Sequence, residues 1–207
     1  MGALAFDPDP AVFGMVRQWR LGQFEPNTTS LFRKRVRAGM RIVDGGANYG
    51  LYSLLAASVM KGDGAVWAFE PNPRVFSVLI RNIALNGLEE IVEPHRLALG
   101  AGAGKATLHA HERFSGTGHL VREGTSPAAD LESHAVEVTS LDGFLRGRRY
   151  PSIDLIKLDV EGFEPAALDG MTEVARRSDR LEVLLEVALR LLEGQGWNVE
   201  GLLDRLT

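Results

Sequence analysis

Cysteine is absent from the 207-residue sequence, which excludes several kinds of chemistry. Disulfides, thiolate nucleophiles and cysteine metal sites are impossible, and this composition suits a reducing compartment. No apolar run approaches the roughly 18–20 residues that a membrane-spanning helix needs. The N-terminal segment MGALAFDPDP lacks the basic region and the long apolar core of a secretory signal. We therefore expect a cytoplasmic protein without a membrane partner.

An excess of positive charge is also missing. The sequence has 23 Lys and Arg against 27 Asp and Glu, a net charge of −4, so the whole chain offers no basic field for nucleic acid. The local basic cluster at 33–37 is typical of a solvated helix face. The remaining composition, 45% hydrophobic and 24% charged, predicts a single globular domain over residues 1–207.

Strand and helix patterns alternate along most of the chain. Strands are predicted at 41–44, 65–69, 91–99, 152–160 and 181–187, and helices at 49–60, 74–85, 164–170 and in most of the tail. Residues 1–40 form an N-terminal helical segment, broken near 25–27. This order is typical of an α/β fold with a mostly parallel sheet and helices on both faces. Residues 102–140 alternate with period two and predict a β-rich insertion.

A glycine-rich turn, DGGANYG at 44–50, follows the first predicted strand. Ligands of parallel α/β sheets bind at the carboxyl ends of the strands, and glycine lets the backbone approach them closely. The glycines do not match the G-x-G-x-x-G pattern of dinucleotide-binding folds. Asp44 would repel a pyrophosphate but suits a ligand with an ammonium group or a cationic sulfur. The next helix is expected to start near Asn48; the alternative interpretation is a tight turn with Asp44 capping that helix.

The second strand also ends in a carboxylate, Glu70, in the segment WAFEPNP. A carboxylate there can accept hydrogen bonds from both ribose hydroxyls of an adenosine, and Pro71 can pack against the adenine. The alternative is a loop carboxylate followed by prolines that begin the next helix. The two strand ends together favour S-adenosylmethionine over NAD.

These segments resemble the FkbM family of S-adenosylmethionine-dependent methyltransferases, within the class I methyltransferase fold. The resemblance runs from about residue 22 to about residue 186 and is carried by GQFEPNTTSLF, GMRIVDGGANYGLYS, FEPNPRVFSVLIRNIALNG, VTSLDGFL and, most specifically, IDLIKLDVEGFEPAALDG. It implies a Rossmann-like fold, S-adenosylmethionine as cofactor, and methylation mostly of hydroxyl groups on sugars, polyketides and other metabolites. The cofactor-binding residues that it implies are Glu25, Asp44, Gly45, Gly46, Asn48, Gly50, Glu70, Pro71, Ala98 and Asp159.

The C-terminal end departs from the class I pattern, which closes with a helix and a strand hairpin. Only twenty residues follow Val187, and they look mostly helical. We expect a reduced hairpin, an open acceptor pocket and an exposed sheet edge that favours a homo-oligomer. The shortened end also leaves open a domain that binds S-adenosylmethionine without catalysis.

The segment IKLDVEG supplies the candidate catalytic residues. Lys157 and Asp159 alternate to one side of a strand, and Glu161 lies just beyond. Methyl transfer to a hydroxyl needs an in-line approach and a base or a stabilising cation. We predict Asp159 and Glu161 as base or metal ligands and Lys157 as the group that lowers the acceptor's pKa. The alternative is a structural Lys157–Asp159 pair, with Glu161 capping the helix at 164–170.

Histidines in the β-rich insertion raise the question of a metal. His109 and His111 have the spacing of two zinc ligands on one strand face, but no third ligand is evident, so we predict no metal site at these histidines. The insertion is instead expected to be an exposed ribbon that lines the acceptor pocket. The leading hypothesis is an O-methyltransferase acting on a small metabolite or sugar; a nicotinamide-dependent oxidoreductase is disfavoured.

Overall fold

The computed structural model describes residues 4–7, 10–111, 119–121, 131–148 and 151–206. The strands are β1 (Arg41–Gly45), β2 (Ala65–Phe69), β3 (Val92–His95), β4 (Ala98–Leu99), β5 (Gly104–His111), β6 (His119–Val121), β7 (Leu131–Thr139), β8 (Leu155–Leu158) and β9 (Glu182–Leu185). The helices are α1 (Pro10–Arg20), α2 (Pro26–Arg35), α3 (Leu51–Met60), α4 (Pro73–Leu85), α5 (Leu141–Arg146), α6 (Glu164–Asp169), α7 (Thr172–Arg177), α8 (Leu189–Gly194) and α9 (Val199–Leu203).

The central sheet has five parallel strands in the order β3-β2-β1-β8-β9. Ile42 and Val43 are both fully buried although they point to opposite faces of β1, as expected for a parallel strand covered on both sides. One face packs against α2, α3 and α4, and the other against α5 to α9. The predicted α/β fold with a mostly parallel sheet is confirmed.

A second sheet, in the order β4-β7-β5-β6, lies within residues 98–139. β5 pairs antiparallel with both β6 and β7, and Ala98, Leu108, Leu120 and Val136 form its buried cluster. The single strand predicted at 91–99 is wrong. Its first half is β3 of the central sheet, and its second half, β4, pairs with β7 in the second sheet.

The turn after β1 is longer than the sequence predicts. Asn48 has a φ of +52° and Gly50 a φ of +91°, so the chain does not become helical until Leu51. The expected helix start near Asn48 is therefore wrong, because left-handed backbone at these positions delays the first helical turn. The next helix, α4, predicted at 74–85, begins one residue earlier, at Pro73. Its N-cap is Asn72, whose side chain accepts from the backbone N–H groups of residues 74 and 75.

The described tail after β9 folds into α8 and α9 rather than a strand hairpin. Leu192 and Leu202 are buried in the same apolar cluster as Val183 and Leu185 of β9. The tail helices therefore cover one face of the last strand. None of the helices in the described part combines the length and the apolarity needed to span a bilayer.

Candidate active site

Two adjoining cavities open at the carboxyl ends of the central strands. The larger cavity, about 370 Å³, is lined by Met15, Phe24, Glu25, Gly46, Ala47, Asn48, Tyr49, Leu51, Tyr52, Lys157, Asp159, Glu161, Glu186, Val187 and Ala188. The smaller cavity, about 70 Å³, is lined by Gly46, Asn48, Glu70, Pro71, Asn72, Leu108, Leu120, Asp159, Val160 and Glu161. Both cavities share four residues: Gly46, Asn48, Asp159 and Glu161.

Gly46 occupies the tightest point of the turn after β1. Its φ is +76°, and a Cβ at this position would lie 1.8 Å from the backbone oxygen of Asp159. The N–H groups of Gly46 and Ala47 donate to the Phe69 carbonyl at 3.0 and 2.9 Å. The Asp159 N–H donates to the Gly45 carbonyl at 3.0 Å. The turn is thus attached to the ends of both β2 and β8, and only glycine fits there without displacing them.

Asp44 lies beneath this turn and not on a cavity wall. It is 1% exposed, and the Ser53 hydroxyl on α3 donates to its Oδ2 at 2.6 Å. Burial raises the pKa of Asp44, and the nearby Lys157 ammonium opposes that rise. The side chain therefore links β1 to the first turn of α3 through the Ser53 hydroxyl, and the Ser53 backbone N–H also acts to lower its pKa, which fits the alternative of Asp44 as a cap of this helix.

Glu70 is positioned by backbone groups on both sides of the smaller cavity. Its Oε2 accepts from the Asn48 N–H at 3.0 Å and its Oε1 from the Asn72 N–H at 2.8 Å. Burial outweighs these bonds and raises the pKa of Glu70 to about 7. Each carboxylate oxygen has a second lone pair, so both can still accept from a ligand hydroxyl.

Lys157 is buried between an acid and an aromatic ring. Its Nζ lies 3.1 Å from Asp159 Oδ2 and 4.6 Å from the centroid of the Tyr52 ring, and the Tyr52 hydroxyl donates to Glu25 Oε2 at 2.5 Å. Burial disfavours its charge, but the carboxylates of Asp159 and Asp44 more than offset this and raise the pKa of Lys157. Lys157 is therefore a fixed cation at neutral pH, and the predicted Lys157–Asp159 pair is present.

Glu161 borders both cavities from the turn between β8 and α6. Burial, with the carboxylates of Asp159, Glu164 and Glu186, raises the pKa of Glu161 to about 7. Glu161 does not cap α6, whose N-cap residue is Phe163. Glu164 accepts from the N–H groups of Val160 and Gly162, which lie in the turn before that helix. The carboxylate of Glu161 thus remains directed to the cavities.

The structure gathers most of the predicted residues on the cavity walls: Glu25, Gly46, Asn48, Glu70, Pro71, Lys157, Asp159 and Glu161. Four lie off the walls, and these are Asp44, Gly45, Gly50 and Ala98. Ala98 is buried in the core of the second sheet. Gly45 packs against Leu99 and Leu158. The described residues contain no group of three or more acidic or histidine side chains that could hold a metal ion. His109 is buried on β5, and the His111 side chain lies outside the described residues.

Sequence reasoning missed Tyr52, Glu186 and the apolar wall made by Leu108 and Leu120. Glu186 directly follows β9, so the rule that led to Asp44 and Glu70 could have found it. No sequence signal marked Tyr52 as a site residue, because it occupies what looks like an ordinary apolar position of α3. The two leucines belong to β5 and β6, whose position over the smaller cavity is a tertiary feature.

Residues 44–204 match the methyltransferase FkbM domain. The chain belongs to the FkbM methyltransferase family. Methyltransferase sdnD of Sordaria araneosa is 31% identical over 191 residues, which cover 79% of this chain and 71% of that protein. The hexuronic acid methyltransferase AglP of Haloferax volcanii is 27% identical over 129 residues, 62% of this chain and 48% of that protein. This FkbM methyltransferase thus spans between about half and seven-tenths of those two relatives.

A solved structure supports the fold of this FkbM methyltransferase. The putative rRNA methylase of Clostridium thermocellum superposes with a TM-score of 0.51 over 87% of this chain and 77% of that one, at 10% identity. At such low identity the similarity shows the fold alone. Together with the family match, it confirms the predictions of a class I fold and of a methyltransferase that uses S-adenosylmethionine.

The residues around the turn fit this cofactor. Gly46 brings bare backbone to the boundary of both cavities, and Glu70 presents a buried carboxylate to the smaller one. The carboxylates of the larger cavity complement the ammonium and sulfonium charges of S-adenosylmethionine.

Proposed function

We propose that this FkbM methyltransferase methylates a hydroxyl oxygen of a small molecule. The observation that supports this most directly is the position of Asp159 and Glu161, which border both cavities at their junction. A methyl donor held from the smaller cavity and an acceptor in the larger one would meet beside these two carboxylates. Bound S-adenosylmethionine would supply an electrophilic methyl group on a positively charged sulfur.

The cofactor's adenosine is assigned to the smaller cavity. Glu70 would accept from the ribose hydroxyls, and Pro71 would lie against the base. At about 70 Å³ this cavity is far smaller than the several hundred Å³ typical of ligand pockets. We therefore expect the wall formed by Leu108 and Leu120 to move outward when a nucleoside binds.

Glu161 is the better candidate for the general base. Asp159 Oδ2 already contacts the Lys157 ammonium at 3.1 Å, so this oxygen is less available to an acceptor hydroxyl. The pKa of Glu161 is raised to about 7 by burial and by neighbouring carboxylates, and proton transfer is most efficient when the base titrates near the working pH. Glu161 would accept the hydroxyl proton as the oxygen approaches the methyl group.

Lys157 and Asp159 have a different role in this proposal. A cation buried beneath Asp159 fixes the direction of that carboxylate, and the Tyr52 ring holds the ammonium from the other side. Asp159 would then offset the positive charge on the cofactor's sulfonium, while Glu161 would accept the proton of the acceptor hydroxyl.

The larger cavity supports a small acceptor. Its volume of about 370 Å³ lies in the range of small-molecule sites. Aromatic and aliphatic side chains such as Phe24, Tyr52 and Val187 share its walls with the carboxylates, a mixture suited to hydroxyl-bearing molecules with apolar faces. A sugar fits this description, and the relative AglP is named for action on a hexuronic acid.

Methyl transfer from deuterium-labelled S-adenosylmethionine to a panel of sugars and hydroxylated metabolites tests the proposal. Mass spectrometry should show a labelled methyl ether, and Glu161→Gln should lower turnover by roughly 10²–10⁴-fold. Glu90→Gln makes the same chemical change at an exposed site before β3, at the opposite edge of the sheet, and should leave turnover unchanged. Methyl groups found on nitrogen or carbon would contradict O-methylation, and cofactor binding without any transfer would favour a non-catalytic domain.

A further inference from the structure

Glu164, the first residue of α6, is completely buried. Its Oε1 accepts from the N–H groups of Val160 and Gly162, at 3.2 and 3.1 Å. Its Oε2 is also buried and has no hydrogen-bond partner among the described residues. Burying a carboxyl group with one oxygen unsatisfied is costly. A glutamate at this position therefore calls for an explanation, and its two hydrogen bonds go to the turn before α6 and not to the N–H groups of the helix.

The turn that Glu164 holds carries Glu161 between its two anchored residues. Glu161 has a φ of +52° and Gly162 a φ of +93°, so both lie in the left-handed region. On the other side, a Cβ at position 162 would lie 2.8 Å from the backbone of Leu191 on α8. The turn is therefore fixed between the Glu164 carboxyl and α8, and its conformation determines where the Glu161 carboxylate points.

On the basis of the role of Glu161 as general base in the proposed function, we propose that Glu164 is a positioning residue, which orients the Glu161 carboxylate. It holds the 160–162 turn so that the Glu161 carboxylate faces both cavities, and in its ionised form it is a further negative charge beside Glu161.

Charged groups on several elements surround Glu161. Lys157 lies in β8, and Asp159 directly follows that strand. Glu164 is the first residue of α6, and Glu186 directly follows β9. Glu25, before α2, lines the same cavity. Three carboxylates and burial raise the pKa of Glu161, and Lys157 opposes them. Burial raises the pKa of Glu164 as well, and its backbone hydrogen bonds to Gly162 and Val160 oppose that rise. Where Glu164 is ionised, removal of its charge should therefore lower the pKa of Glu161.

The charge effect can be read without catalysis, by ¹³C NMR titration of glutamate side-chain carboxyls in the cofactor-free protein. The Glu161 signal is identified by its loss in Glu161→Gln. In Glu164→Gln its midpoint should fall by roughly 0.5–1 pH unit, since a neighbouring carboxylate charge is removed. Glu90→Gln, exposed and at the far edge of the sheet, should leave the midpoint unchanged.

The positioning effect is read from turnover and binding together. Glu164→Ala removes the acceptor for both N–H groups, so kcat should fall by roughly tenfold or more while the Kd for S-adenosylmethionine changes much less. Glu164→Gln keeps an oxygen that can accept both bonds, so it should recover most of kcat, with the acid limb of kcat/KM moved to lower pH. If the alanine variant does not fold, the glutamine variant alone decides.

Wild-type midpoints in Glu164→Gln, together with wild-type kcat in folded Glu164→Ala, would overturn the inference while leaving Glu161 as the base. Wild-type turnover in Glu161→Gln would instead overturn the base role. In that event the NMR midpoint still reports whether Glu164 controls Glu161.

Discussion

Replacement of Gly46 by alanine would place a methyl group where the Asp159 carbonyl already lies. A left-handed φ such as +76° costs an alanine about 1–2 kcal/mol. The added Cβ would also lie 1.8 Å from the Asp159 oxygen and 2.9 Å from its carbonyl carbon, so one of two backbone segments must shift, at a further cost of about 1–3 kcal/mol. Reduced freedom of the unfolded chain returns roughly 0.4–1 kcal/mol. We expect the free energy of unfolding to fall by about 1–5 kcal/mol.

Gly87→Ala is a control that separates the cost of the close contact with Asp159 from the cost of the left-handed backbone. Gly87 has a φ of +63° but no atom within 4 Å of its built Cβ, so only the conformational cost applies, roughly 0–1.5 kcal/mol after the same correction. Urea unfolding followed by circular dichroism compares the two variants at equal m-value. S-adenosylmethionine titration should show weaker binding for Gly46→Ala alone. Equal losses of stability in both variants would refute the close contact between the turn and the end of β8.

Three further predictions follow from the acidic groups of the site. Glu70→Ala should weaken S-adenosylmethionine binding by roughly 1–3 kcal/mol, or about 5- to 150-fold, because ribose hydroxyls lose their acceptor; unchanged isothermal titration curves would contradict this role. Asp159→Asn should lower the free energy of unfolding by about 1–3 kcal/mol because buried Lys157 loses its nearest counter-charge, whereas exposed Asp179→Asn should have no measurable effect in the same urea titration. The cofactor-free protein should become less stable as pH rises from about 4.5 to about 7. The pKa values of Glu70 and Glu161 are about 7 in the folded state and lower in the unfolded state, so the folded state binds more protons in that window. A Tm that is flat or rises across this range would count against this prediction.

The strand ends of the site were predictable because they depend on one rule and on local pattern. Short apolar runs such as that at Ile42 and Val43 indicate buried strands, and a parallel sheet brings all their carboxyl ends to one edge. Glu70 and Asp159 could therefore be placed near each other from the sequence alone, although they are 89 positions apart in the chain.

The failures arose where local pattern does not determine the tertiary path. Residues 91–99 look like one apolar strand, yet the chain leaves the central sheet between β3 and β4, and Ala98 joins the core of the second sheet. Asn48 looks like a helix start, but its own backbone and that of Gly50 are left-handed. The bond between Tyr52 and Glu25 joins α3 to the segment before α2, which only the packed structure brings together.

The wall common to both cavities makes their occupancies thermodynamically dependent on each other. A ligand in one cavity that changes the charge or position of Asp159 or Glu161 must alter affinity in the other, and the factor is the same in both directions. Loss of the methyl group removes the cofactor's sulfonium charge, so the donor and its product present different electrostatic surroundings to whatever occupies the larger cavity. With the acceptor in the larger cavity, as we propose, its affinity would depend on whether the cofactor still carries the methyl group, and each turnover would change that affinity.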